Sequence, residues 1–239
     1  MKDSKEENQF LENYKSSDFD VPLTTVDMAI FSIIDRKLQI LLVSRDSLPE
    51  KDNIALPGGF IDLKNDIDLD QTALRKLHEK TGVKLSYLEQ VETVGNSKRD
   101  PRGWAVTILY FALIDATKID QELLNHTTWH PIEEAKRMSL AFDHNNLLKK
   151  AIKRLRAKTL YTALPIALLP PKFTLTELQT IFEIILSKKL PVKSFRRRLT
   201  DAKAVIGTNE SKISGKRSAQ LFKSTGLDKD FHFPRPLQL

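Results

Sequence analysis

The chain has no cysteine in its 239 residues, which excludes disulfides, thiolate nucleophiles and cysteine-ligated zinc and suits a reducing compartment. Long apolar runs are missing as well. The opening MKDSKEENQFLENYKSSDFD carries charge but no apolar core of signal-peptide length, and no later stretch approaches the length that spans a bilayer. The expectation is a cytoplasmic protein with no membrane partner. Neither an internal repeat of fixed period nor a low-complexity segment is present. What remains is ordinary for a globular chain: 41% hydrophobic residues, at a length that favours two modest domains over one large one.

Excess positive charge is absent from most of the sequence. Residues 1–169 hold 24 Lys and Arg against 25 Asp and Glu, whereas residues 170–239 hold 14 against 6, so the formal +7 arises in the C-terminal part. Such asymmetry fits either a polyanion partner, nucleic acid first, or a solvated lysine-rich surface.

Residues 1–20 read as a flexible polar arm. TTVDMAIFSII and LQILLVSR, separated by DRK, read as a hairpin entering a sheet. QTALRKLHEKTG has the helical period, with Ala73, Leu74 and Leu77 as its buried stripe and Gly82 as its stop. YLEQVETVG and WAVTILYFALI are strand-like again, so residues 21–160 form a mixed α/β or α+β unit. Its closing helix, FDHNNLLKKAIKRLRAK, puts Leu147, Leu148, Ala151, Ile152 and Leu155 on one face behind Asp143 as N-cap. The prolines of TALPIALLPP interrupt regular structure near 160–170. In residues 161–239, FTLTELQTIFEIILSKK opens on the capping-box pair Thr174 and Glu177. VKSFRRRLTDAKAV gives a second helix with Phe195 and Leu199 facing inward, and IGTNESKISGKRSAQLFKST gives two strands around a basic turn. Helix, basic helix and basic hairpin is the order of a winged helix-turn-helix.

LPGGFID at 56–62, followed about fifteen residues later by LRKLHEKTGV, resembles the signature of the Nudix hydrolases. That resemblance implies an α/β/α sandwich in which a glycine loop and a helix hold magnesium against a pyrophosphate. In the family pattern acids follow the arginine at i, i+3 and i+4, one face of a helix where carboxylates can share a hard cation. The matching positions here are Lys76, Glu79 and Lys80. One carboxylate of three remains, and a cage of charge −3 becomes +1. No metal and no cofactor is therefore expected, and without the ion neither phosphate polarisation nor water activation is supplied. Asn65 or Asp66, with Asp68 and Asp70 nearby, leaves a shifted coordination scheme open. Lys76 and Lys80 can serve as fixed cations for a pyrophosphate, or stand as solvated helix lysines. Arg99, Arg102 and Trp104 add arginines and an aromatic suited to phosphate and a purine or ribose face, although Asp100-Pro101 and Gly103 could equally build a turn there. Arg45, Phe60 and Arg75 complete the effector-binding candidates.

GNSKRDPRGWAVTILYFAL and LAFDHNNLL resemble the Nudix-related transcriptional regulators (NrtR) of NAD metabolism, and the resemblance runs from about Val21 to about Thr225. It implies a Nudix domain that has lost hydrolysis and senses ADP-ribose or a related NAD metabolite, joined to a repressor's DNA-binding domain. It also implies that the basic helix and wing meet operator DNA. Lys193, Ser194, Arg196, Arg197 and Arg198 are candidates for base edges or phosphates, with Thr176 beside them and Lys212, Lys216 and Arg217 around Gly215 in the wing. Oligomerisation or RNA binding are the rival uses of these residues. The expected protein is a homodimeric repressor on double-stranded, two-fold symmetric operator DNA. The alternatives are an active magnesium-dependent ADP-ribose pyrophosphatase and a sugar-responsive regulator of the same layout.

Overall fold

The computed structural model describes residues 5–81, 86–119, 127–214, 217–226, 232–233 and 235–237. A mixed sheet is centred on β1 (Leu23–Ile34), which lies antiparallel to β2 (Lys37–Ser44) and parallel to β6 (Ala105–Leu113). β3 (Ile54–Ala55) extends the β2 side and β5 (Tyr87–Asn96) the β6 side, while β4 (Gly58–Phe60) pairs with β1 and β7 (Thr127–Pro131) with β2. The β1–β2 hairpin turns through Asp35 and Arg36, both at positive φ (49° and 58°), the two-residue geometry that matches strand twist.

β1 and β6 read as near-continuous apolar runs because both of their faces are covered. Val26, Met28, Ile30, Ile108, Tyr110 and Ala112 face α2 (Leu69–Thr81), meeting Ala73 and Leu77. Ala29, Phe31, Leu109, Phe111 and Leu113 face α4 (His144–Tyr161), whose buried side chains include Leu147, Leu148, Ala151, Ile152 and Leu155. The result is the expected α/β/α sandwich. A short α3 (Ile132–Ala135) follows β7.

The expected burial of Leu74 is corrected. Leu74 is 47% exposed: α2 packs through the i, i+4 pair Ala73 and Leu77, and one residue further round is about 100° off that face. The arm before β1 carries α1 (Lys5–Asn13) and a 3-10 turn at Ser16–Asp18, with Phe10, Tyr14 and Phe19 in successive ring contacts. Asp143 stands at the N-cap of α4 but makes no capping hydrogen bond, because Arg99 takes its carboxylate. The predicted stop at Gly82 lies outside the described residues.

A 3-10 segment, Leu164–Leu168, leads from α4 to α5 (Leu175–Leu186), α6 (Val192–Asp201) and the ribbon β8 (Val205–Ser214) and β9 (Arg217–Ser224). The Thr174–Glu177 capping box is formed, and Ser187 ends α5 in the left-handed conformation. Phe173 bridges to Phe222 of the ribbon through paired backbone hydrogen bonds. Phe195 and Leu199 are buried as expected, with Phe195 edge-on to Phe182 at 5.0 Å between centroids. Helix α5 serves two cores: Ile181 and Ile185 join the α4 side of the sandwich, while Leu178, Phe182 and Leu186 join the C-terminal core.

Candidate functional site

A cavity of about 200 Å³ opens between β1, the end of β2, the glycine loop, the β5–β6 loop and the start of α4. Its closeness to β1 depends on Gly58, where a Cβ would come within 2.3 Å of Asp27 Oδ1 and 2.5 Å of the Val26 carbonyl oxygen. Only a residue without a side chain lets the loop lie there. Beside it Gly59, at φ 152°, faces the Lys76 stem, with Cε 3.0 Å from where a Cβ would stand.

An ionic cluster centred on the buried Arg99 borders the cavity. Arg99 donates to Asp27 Oδ2 at 3.4 Å and to Asp143 Oδ1 at 3.1 Å, with its side chain 4% exposed. His144 Nδ1 accepts the Leu56 backbone N–H at 3.0 Å, so in the neutral ring the proton sits on Nε2, which faces Asp27 Oδ1 at 3.7 Å. Burial pushes the His144 pKa down, while the carboxylates of Asp27 and Asp143 pull the other way without restoring it. The first residue of α4 is thereby pinned to the glycine loop.

Of the predicted effector residues, Arg45, Phe60, Arg99 and Arg102 line this cavity. Arg45 is held by the carbonyls of Pro49 and Ser47 and lies over the Phe142 ring at 4.7 Å. Arg102 makes a two-pronged bond to Asp100 and lies over the Phe60 ring at 5.1 Å. Arg75, Lys76 and Glu79 sit behind the rim on α2, touching the loop through the Arg75 bond to the Phe60 carbonyl and the Lys76 stem on Gly59. Trp104 does not line the cavity; its indole covers Gly95 on β5. The side chain of Lys80 lies outside the described residues. Asp27, Asp100, Phe142 and His144 were not anticipated. The signal for Asp27 was a lone charge inside the apolar run TTVDMAIFSII.

The Nudix fold implies a magnesium site, and the residues on α2 do not fit one. Glu79 Oε1 accepts from Arg75 at 2.8 Å and Oε2 from Lys76 at 3.0 Å. Burial works to raise the Glu79 pKa, but these two cations outweigh it and leave it lowered. The aspartates of the alternative scheme are also engaged. Asp66 takes two bonds from Arg75 and one each from Thr72 and the Asp62 N–H, which hold its carboxyl well below the usual range. Asp68 accepts from the Gln71 N–H at 2.7 Å at the start of α2, and Asp70 accepts from the Tyr110 hydroxyl at 2.7 Å. A dication would have to displace these partners.

On the C-terminal unit, Phe195 and Leu199 point α6 inward, which turns Lys193, Ser194 and Arg197 outward. Arg196 flanks that face on one side and donates to Thr176 Oγ1 on α5 at 3.2 Å. Arg198 flanks it on the other and is half-buried. Lys212 pairs with Glu177 at 2.7 Å, fastening the ribbon to the start of α5. Lys216 and the side chain of Arg217 lie outside the described residues.

A sandwich with a glycine-loop cavity, carrying a helix-turn-helix and a two-stranded wing, defines a Nudix-domain protein with a winged-helix appendage. Residues 23–154 match the Nudix domain family, and residues 165–224 match the NrtR DNA-binding winged helix domain. A relative in Acinetobacter baylyi, an ADPR-responsive transcriptional repressor, is 54% identical over 234 residues, covering 97% of this chain and 94% of its own. The chain belongs to the NrtR family. The crystal structure of Shewanella oneidensis NrtR with a 27mer DNA matches at a TM-score of 0.86 and 41% identity, over 90% of this chain and all of that one. The NUDIX domain of the same protein in complex with ADP ribose matches at 0.58 and 43% identity, over 62% of this chain and 98% of that one.

Proposed function

We propose that this chain is a transcriptional repressor of NAD-metabolism genes that senses ADP-ribose, acts as a cytoplasmic homodimer on operator DNA, and binds the nucleotide without hydrolysing it. The observation that carries this reading is the course of α4. Its 18 residues extend about 27 Å at ~1.5 Å per residue. At one end His144 and its neighbour Asp143 belong to the cavity cluster. At the other, Arg156 donates to the Ile185 carbonyl and to Ser187 Oγ at the end of α5. Ligand contacts that shift the start of α4 therefore act on the helix that carries the reading head. The exposed Phe60 ring and the paired arginines suit a base face and a pyrophosphate. The pairing of Glu79 and Asp66 with Arg75 and Lys76 supports binding without turnover.

Titration of ADP-ribose into the protein, alone and on bound duplex, tests the linkage: the two affinities should differ by ~5 to 150-fold. Equal affinities remove the regulatory claim, and magnesium-dependent AMP release at ~1 per second or faster restores the hydrolase reading. Arabinose in place of ADP-ribose separates a sugar sensor from a nucleotide sensor. Arg197→Ala should cost ~1 to 3 kcal/mol of DNA affinity and relax sequence preference.

A further inference from the structure

Beyond the wing, the chain returns to the reading head. The Phe233 N–H donates to the Tyr161 carbonyl at 2.6 Å and the Leu237 N–H to the Leu160 carbonyl at 2.7 Å. Both side chains are buried in the C-terminal core, and the His232 ring stacks on Tyr161. Residues 232–233 and 235–237 thus run as a strap from the end of α4 across the winged helix. This strap lies past residue 224, where the match to the DNA-binding domain ends.

Between its two apolar anchors the strap exposes Arg235. Its backbone carbonyl accepts a hydrogen bond from Arg198, whose guanidinium also lies 5.8 Å from the Phe233 ring centroid. The strap is therefore fixed along the flank of α6 opposite the Arg196–Thr176 contact. A depression of about 160 Å³ lies there, lined by Ser194, Arg197, Arg198, Asp201 and Arg235. Three guanidinium groups and a hydroxyl meet one carboxylate, and among the described residues no salt bridge joins Asp201 to Arg235. The local formal charge is +2.

The geometry points to this depression as a seat for a backbone phosphate of the bound duplex, with Arg235 supplied to it by the C-terminal strap. A duplex lying on the outward face of α6 presents backbone on both sides of the groove that the helix enters. Thr176 on α5 borders one side, and the strap borders the other. The inference rests on α6 being the reading helix. Arg198 is then a strap anchor, and Arg235 is a DNA contact that the helix-turn-helix pattern does not include.

The test is Arg235→Ala, measured by fluorescence anisotropy on a duplex that the wild-type protein recovers from a random-sequence library, over a range of KCl. Because the carbonyl of residue 235 holds Arg198, the substitution leaves the strap in place, which an unchanged melting temperature and unchanged ADP-ribose affinity verify. Losing one phosphate contact in each of the two protomers lowers the dimer's salt slope by about 1.8, so a fourfold rise in salt costs the variant about 12-fold less affinity than the wild type. The ratio between the recovered and a scrambled duplex stays as in the wild type, and Arg235→Lys restores the slope. An unchanged slope and affinity in Arg235→Ala overturns the strap contact while leaving α6 as the reader. A collapsed ratio overturns the phosphate assignment in favour of base reading. Salt-independent binding by the wild type overturns the DNA interface as a whole.

Discussion

Exchanging Lys76 for glutamate tests whether the charge on Lys76 opposes a dication at α2. Lys76 Nζ stands 3.0 Å from Glu79 Oε2. A magnesium ion held by that oxygen at ~2.1 Å would lie within about 5 Å of the ammonium. At that distance a unit charge and a dication repel by about 1.7 kcal/mol even at the dielectric constant of water. Reversing the side chain's sign removes the repulsion and adds a comparable attraction, about 3.3 kcal/mol in all, or a gain of roughly 250-fold in affinity. The lost Lys76–Glu79 pair costs the helix only ~0.2 to 0.5 kcal/mol, and its loss frees Oε2. Calorimetric titration of manganese or magnesium into wild type and Lys76→Glu reads the gain directly. A wild type that binds the ion as tightly as the variant, or a gain below about tenfold, refutes the electrostatic account.

Three further outcomes follow from the packing. Arg99→Met strips two sequestered carboxylates of their cation and should cost about 3 to 5 kcal/mol in denaturant unfolding, with Asp27→Asn in the same chain recovering part of it; a loss under about 1 kcal/mol contradicts the cluster. Burial keeps the folded-state pKa of His144 below its ordinary value of 6.5. The unfolded chain therefore takes up the proton first, and the folded state loses stability as pH falls below about 6.5. The stability advantage of wild type over His144→Asn should shrink between about pH 8 and pH 5, and a constant difference would count against a neutral, buried ring. Thr174→Ala opens the capping box at the start of α5 and should lower stability by about 1 kcal/mol, with Thr174→Ser retaining most of it, as thermal unfolding would read.

The elements legible in the sequence are those whose signal is local and repeated. β1, β2, β5 and β6 announce themselves by apolar, β-branched runs, and α4, α5 and α6 by the spacing of their buried residues. The Thr174–Glu177 pair marks its helix start because both partners lie within one turn. The short strands β3, β4 and β7 carry too few residues for a period, and pairing with longer neighbours makes them strands. Leu74 misled because a run of apolar residues does not say which of two adjacent helix positions faces the sheet. Asp143 stands at the N-cap as expected but does not cap with its side chain. Its capping potential is a local property, but Arg99, 44 residues away, competes for the same oxygens.

The candidate site divides along the same line. Lys76, Glu79 and Lys80 stand on one helix, so their charges and spacing are legible in the sequence, and the resemblance to the Nudix pattern marks the deficit of carboxylates there. The confinement of excess positive charge to the last third of the chain was equally plain, since counting needs no geometry. By contrast, Asp27, Arg99 and His144 line one cavity, and Asp143 bonds to Arg99, only because the register of β1 against β6 and the lie of α4 across the sheet bring them together. Which arginines are internally bonded, and that Arg235 returns to the flank of α6, were likewise decided by tertiary contacts. Side-chain periodicity acts over a few residues and is written into the chain, whereas the partners of a buried charge are chosen by the packing of distant segments.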